Sequence, residues 1–306
     1  METIDLHTHT RWSDGTSTVE NSLRCAEALG LSCFSVTDHN TVDAYAEVLQ
    51  KRTLYSGRIL PGVELSTVFE REVIEILGYG IRIPVMQELI RANYPSFYDK
   101  QVREAALDTR TVLEKGAVLD AVFVEKMLRH PESVFDPHRD TERPYLLAEL
   151  RRHPENARFF GSAEALEAID EQQFTRNYLF NAESPLFCDQ SSLSPTLSCV
   201  IEMIHQSGGL AFLAHPFAYS KHLTDHLEAL AETGLDGVEC HYGTFTAEQK
   251  IFLCSFCRER GLYCSGGSDF HGLDMRPKNR MGFSSGERIP LDLIREWLPL
   301  VEKQMI

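Results

Sequence analysis

The chain has 306 residues, a formal net charge of −15 and no apolar run approaching the roughly 18–20 residues of a membrane span. That length supports a substantial core, as one large domain or one domain carrying an insertion. With no basic run and no interleaving of aromatic and basic residues, the composition argues against a long nucleic acid as partner, because phosphate neutralisation dominates that affinity.

The first predicted strand ends in Leu6-His7-Thr8-His9. Alternate strand residues face the same side, so His7 and His9 aim at one point about 6–7 Å apart along the edge. Two neutral imidazoles so placed can chelate one transition-metal ion, although a lone His-x-His also fits a strand with two surface histidines. Ser13-Asp14-Gly15-Thr16 is a turn signal that can bring the Asp14 carboxylate back over the strand end. Residues 18–30 read as an amphipathic helix, with Ser17 or Thr18 as N-cap and Gly30 as stop. Cys33–Thr37 is a second strand that runs into His39, and Asp43–Arg52 a second helix. Arg58–Val63 is a third strand, leading into Glu64, and Glu72–Ile81 is the fourth. This alternation predicts parallel strands with crossover helices.

From about Pro84 to Pro195 the pattern turns helical and charged. Tyr98–Lys115, Leu119–His130, Tyr145–Arg152, Ala163–Ile169 and Glu171–Phe180 are the predicted helices, separated by Pro-containing loops. Residues 85–194 are therefore read as an insertion between barrel halves 1–84 and 195–306. An insertion at the active end of a barrel commonly selects substrate as a lid. Alternation then resumes: helix Leu197–Gln206, strand Leu210–Ala214, helix Leu223–Thr233, strand Asp236–His241, helix Ala247–Arg260 and strand Leu262–Ser265. A final helix is predicted over Leu291–Lys303. Again the strands end in chemistry, at Ala214-His215-Pro216 and Gly267-Ser268-Asp269-Phe270-His271. Ligands gathered at strand C-termini match a barrel with its site at that face.

Eight cysteines are scattered through apolar segments without a disulfide-like framework. Cys254-x-x-Cys257 has the spacing of a zinc half-site, but it lies in the helical run Glu248–Arg260 with no second CxxC. The eight read as ordinary buried thiols of a reducing compartment. The N-terminal stretch lacks a charged-then-apolar signal pattern, so the expected location is cytoplasmic, without membrane association.

The order of these motifs resembles the PHP (polymerase and histidinol phosphatase) family of metal-dependent phosphoesterases, over residues 1–81 and about 195–285. The strand count and the resemblance together imply an α/β fold, a distorted (β/α)7 barrel with a helical lid. The resemblance also implies up to three metal sites. His7, His9, Glu64 and Asp269 would form the first. Glu64 would bridge to a second with His215, and Asp14, His39 and His271 would form the third. Many relatives read His-(Ile/Leu)-Leu-Gly-Tyr on the fourth strand, where this chain has Glu75-Ile76-Leu77-Gly78-Tyr79. Either Glu75 is a ligand in place of that histidine, or the centre is binuclear and His215 is free to act as general acid. Mn²⁺, Fe²⁺ and Zn²⁺ all suit such a donor mixture.

The implied reaction is attack of a metal hydroxide on phosphorus, with Glu64, His215 and Asp269 as catalytic candidates. The substrate is expected to be a small phosphorylated metabolite (a nucleotide bisphosphate, sugar phosphate or cyclic phosphate), with release of phosphate. Arg11, Arg143, Arg176 and His241 are the candidate substrate contacts. The setting of Arg143 is similar to a phosphate-binding arginine of nucleoside 3′,5′-bisphosphate phosphatases, although the Gly-Lys-Pro-Gly loop of those relatives is replaced by Asn181-Ala182-Glu183-Ser184-Pro185. Arg276, Lys278 and Arg280 offer charge instead, and Glu239 is a possible partner for a metal histidine. The alternatives are a histidinol-phosphate phosphatase, a short-RNA 5′–3′ exonuclease, a non-catalytic metal-binding module and an amide hydrolase.

Overall fold

The computed structural model describes residues 2–219, 224–272 and 274–306. They form two compact units. The first comprises Met1–Thr67, Ile74–Asn93 and Thr196–Ile306, and the second Val68–Val73 and Tyr94–Pro195.

The first unit is mixed α/β. Strands β1 (Ile4–Asp5), β2 (Cys33–Phe34) and β3 (Arg58–Ile59) pair in parallel in that order. Strands β4 (Gly62–Phe69), β5 (Glu72–Tyr79), β6 (Leu210–Leu213), β7 (Gly237–His241) and β8 (Tyr263–Gly266) form a five-stranded sheet in that order. Backbone bonds continue beyond these strands. Leu6 N–H donates to the Gly266 carbonyl at 3.2 Å, Asp269 N–H to His7 at 2.8 Å, and His9 N–H to Phe270 at 2.8 Å. On the other side, Leu60 N–H donates to the Phe34 carbonyl at 2.9 Å and Asn40 N–H to Glu64 at 2.8 Å.

The expectation of uniformly parallel strands is corrected at β5. Only Glu70 and Arg71 separate it from β4, both with positive φ (47° and 75°). A connection that short reverses the chain, whereas a parallel neighbour needs a crossover. As a result β5 runs antiparallel to β6, with Ile76 opposite Leu213 and Tyr79 opposite Leu210. The expected third strand is also divided, into β3 and the start of β4 around Leu60-Pro61.

Helix α1 (Val19–Ala28) is capped by Thr18, whose hydroxyl accepts from Asn21 N–H, and α2 spans Ala44–Gln50. Helix α3 (Ile83–Asn93), where only a boundary was expected, carries Pro84 in its first turn, a position at which the missing N–H costs nothing. The predicted start at Leu223, like His222, lies outside the described residues; the described helix there is Leu227–Ala231. The predicted C-terminal helix is broken into a 3₁₀ turn (Leu291–Ile294), a short α-helix (Leu298–Val301) and a further 3₁₀ turn. It is held by packing instead. Trp297 is fully buried, stacks on Tyr79 at 5.6 Å between ring centroids and donates its indole N–H to the Cys264 carbonyl.

The second unit is helical: α4 (Phe97–Glu114), α5 (Ala121–Arg129), α6 (Arg143–Arg151), α7 (Ala163–Ala168) and α8 (Glu171–Phe174). The predicted helix to Phe180 changes to a π-turn over Thr175–Leu179. Val112, Leu146, Leu150, Phe174 and Leu186 form its own buried core.

Candidate metal centre

Five histidines and four carboxylates, from strands of the first unit and the segments that follow them, meet within it. Glu64, early in β4, is fully buried at their middle. His7 Nε2, His9 Nε2 and His39 Nδ1 each stand 3.2 Å from Glu64 Oε2, and His215 Nε2 is 3.1 Å from Oε1. Asp269 Oδ1 faces His9 Nε2 at 3.1 Å, His271 Nδ1 at 3.2 Å and His7 Nε2 at 3.5 Å. Asp14 reaches His271 Nε2 at 3.1 Å and His39 Nε2 at 3.7 Å. Glu75 sits among them, with one oxygen 3.3 Å from His39 Nδ1 and the other 3.2 Å from His215 Nε2.

The donor set fits divalent ions. Glu64 Oε2, His9 Nδ1 and His215 Nδ1 are buried yet make no hydrogen bond among the described residues. Leaving such atoms unpaired costs about 1–3 kcal/mol each. The separations of 3.1–3.3 Å seen here match two ligands sharing one ion, since bonds of roughly 2.0–2.2 Å set neighbouring donors about 3 Å apart. His7, His9 and Asp269 form one such group, and His7, Glu64 and His215 a second. The third differs from the expected set by including His9 beside Asp14, His39 and His271, and a fourth joins His39, Glu64 and Glu75. His7, His9, His39 and Glu64 thus belong to two groups each, where Glu64 alone was expected to be shared.

The supporting contacts are specific. Glu239 on β7 accepts from His7 Nδ1 at 2.9 Å with one oxygen and from His215 N–H at 2.8 Å with the other. A carboxylate behind a ligating imidazole fixes its tautomer and raises its basicity. Tyr242 Oη donates to Asp269 Oδ2 at 2.7 Å, and the Arg276 guanidinium contacts the same oxygen. Tyr219 Oη accepts from Glu75 N–H at 2.8 Å. Buried Asp5 accepts from His7 N–H, Gly282 N–H, and both the N–H and hydroxyl of Ser268. Asp38 accepts from Thr10 N–H and hydroxyl, each at 2.7 Å. Gly267 is packed so closely on His7 that a Cβ would lie 2.4 Å from its backbone nitrogen. His215 and Asp269 take positive φ (25° and 54°), backbone strain of a kind that concentrates at functional sites. Tyr219, Tyr242, Asp5 and Asp38 were not singled out in the sequence, where no periodicity or spacing marks them.

The electrostatics follow from carboxylates enclosing imidazoles. Burial opposes charge on His9, but the adjoining Asp269 and Glu64 carboxylates prevail and push its pKa up to about 10. His215 is likewise disfavoured by burial and carried up to about 9 by Glu64 and Glu75. Burial raises Glu64 and Asp269, yet the surrounding histidines hold both well below the carboxylate range. Asp5, among neutral donors, is pushed by burial up to about 6.

The candidate substrate contacts are placed less uniformly. Arg11 and Arg176 are exposed, and His241 is half-buried at the end of β7. Arg143 lies in the second unit, enclosed by Glu104 at 2.9 Å, Glu142 at 3.3 Å and Asp108 at 3.8 Å, with its guanidinium over Phe180. Lys278 and Arg280 are exposed, which leaves Arg276 as the cation contacting a cluster carboxylate among the described residues. His153 pairs with Glu149 in the second unit, and His205 with Asp236 in the first.

A family profile described as the PHP domain matches residues 5–247. The 5′-3′ exoribonuclease Rnm of Escherichia coli is 29% identical over 278 residues, covering 87% of this chain and 84% of the relative. A 3′,5′-nucleoside bisphosphate phosphatase of Chromobacterium violaceum is 27% identical over 275 residues, covering 89% and 88%. A solved structure described as an amidohydrolase from Chromobacterium violaceum, with sulfate bound and no metal, superposes with a TM-score of 0.65. It is 23% identical, over 99% of this chain and 97% of that one.

Proposed function

From the premise that the chain belongs to the PHP domain family and is a metal-dependent phosphoesterase, we propose that it removes phosphate from a small nucleotide-like ester, with a nucleoside bisphosphate as the leading substrate. The observation that carries this is the convergence of His7, His9, His39, His215 and His271 on Glu64, Asp269, Asp14 and Glu75. The same reading takes the strands as a closed seven-stave barrel, with β3 and β4 as one stave. The backbone bonds from β8 and its extension to the Leu6–His9 segment support closure. The insertion carries the substrate-selecting role in this reading, on the ground of its place in the chain order.

Divalent ions bound here would supply Lewis acidity and an activated water. Glu64 offers one oxygen to His7, His9 and His39 and the other to His215, so it is placed to bridge ions and tie the groups together. Asp269, held by Tyr242 and Arg276, keeps its other oxygen toward His7, His9 and His271. His215, whose Nδ1 is unpaired, and Asp269 are the groups placed to move a proton to the leaving oxygen. Arg276 is the cation at hand for a phosphoryl oxygen, ahead of Arg143 with its three carboxylate neighbours.

A second reading is 5′–3′ removal of nucleotides from short RNA, favoured by the likeness to the exoribonuclease. The net charge of −15 turns this toward short substrates, where few phosphates need neutralising. Phosphate and nucleotide release from Mn²⁺-loaded protein, over nucleoside bisphosphates, sugar phosphates and short 5′-phosphorylated RNA, tests both. Phosphate release from bisphosphates that is lost in His9→Asn upholds the first reading. Mononucleotide release from RNA as the faster reaction installs the second, and turnover of none of these esters overturns both.

A further inference from the structure

Four of the eight cysteines, read from the sequence as unrelated buried thiols, come together on the far side of β7. In the β7–β8 register Val238 lies opposite Cys264 and Glu239 opposite Ser265. Alternation therefore sends Glu239 toward the histidine cluster, while Cys240, two residues from Val238, shares the other face with Cys264. Helix Ala247–Arg260 lies against these strands. A Thr246–Gln249 capping box starts it, and Gly261 at φ 68° turns the chain back into β8. Cys254 and Cys257, at i and i+3 on this helix, share one face.

The Sγ atoms of Cys240, Cys254 and Cys264 lie within 4.8 Å of one another; Cys257 stands outside that group of three and adjoins it through Cys240, at 3.6 Å between Sγ atoms. A tetrahedral zinc site with Zn–S bonds of about 2.3 Å has sulfur–sulfur edges of about 3.8 Å. Cys240 and Cys257 are buried and Cys254 and Cys264 half-buried, so the cluster keeps an entry path.

We propose that Cys240, Cys254, Cys257 and Cys264 form a structural four-thiolate site for Zn²⁺, separate from the histidine–carboxylate centre. Binding displaces the thiol protons to solvent and involves no oxidant. The ion ties the helix to β7 and β8, and so steadies the strand that holds Glu239 behind His7 and His215. Four sulfur donors with no open position mark it as structural, whereas the other centre presents nitrogen and oxygen.

The test is Co²⁺ substitution of the full chain, read as thiolate-to-cobalt charge-transfer absorption in the near ultraviolet, which nitrogen and oxygen donors do not give. One thiolate-bound equivalent per chain is expected in wild type and equally in His9→Asn, with loss of the band in the Cys254→Ser/Cys264→Ser double variant. Zinc content measured on the wild type and the double variant should be lower by one equivalent in the double variant. Wild-type protein that binds cobalt without the band overturns the proposal, whatever the folding of the variant. So does a double variant with unchanged zinc content.

Discussion

At Glu239 a single buried carboxylate serves two histidines, accepting from the His7 ring and the His215 backbone. Glu239→Gln keeps the shape but removes the charge behind His7. Metal affinity or turnover should fall about 10–100-fold, with folding unchanged by circular dichroism; full activity would show that the contact does no tuning. Glu75 separates the two readings of the centre. If its carboxylate, 3.2 Å from His215, is a ligand, Glu75→Ala loses one bound ion per chain by elemental analysis. If it is only a hydrogen-bonded neighbour, stoichiometry stays the same. Most of the nine candidate ligands were legible in the sequence because they follow predicted strands beside turn signals, whereas Glu75, inside β5, was marked only by the resemblance; the fold brings all nine together. Tyr219, Tyr242, Asp5 and Asp38 were not legible, since each acts through tertiary contacts that no local pattern encodes.

Among the elements, the broken C-terminal segment shows how packing overrides propensity. Its sequence reads as one helix, yet only Leu298–Val301 is α-helical, and the fully buried Trp297 fixes the segment against Tyr79 and Phe212. Trp297→Ala should destabilise by about 3–5 kcal/mol, seen as a lower denaturant midpoint; a change within error would mean that the segment is an appendage. The β4–β5 hairpin was missed for a related reason. Glu70-Arg71 lacks the Asn-Gly or Asp-Gly signature of a two-residue turn, so positive φ at both positions had no sequence marker. The alternation of strands and helices did announce the α/β class, because burial on two faces produces apolar runs that survive such local exceptions.

Over the whole molecule, the centre links metal binding to pH. In metal-free protein His9 and His215, with pKa values about 10 and 9 against an ordinary 6.5, hold protons at neutral pH that a ligated ion must displace. Apparent metal affinity, measured by isothermal titration calorimetry, should therefore rise with pH between about 7 and 9, with proton release on binding. Raised folded pKa values also stabilise the metal-free protein fully below about pH 6.5, and that stabilisation is lost as pH rises through 9 to 10. The depressed carboxylates Glu64 and Asp269 contribute above their ordinary range and lose this as pH falls through it. Thermal stability without metal should thus be highest between about pH 4.5 and 6.5 and decline on either side, and a curve still rising above pH 9 would contradict this assignment of charge.

The most direct measurement is anomalous diffraction from crystals equilibrated with Mn²⁺, with data on both sides of the manganese absorption edge. The account predicts at least two peaks bonded to Glu64 and shared among His7, His9, His39, His215 and Asp269. A map with no peak beside Glu64, from crystals in which the ion is present, would contradict the metal centre and the phosphoesterase reading built on it.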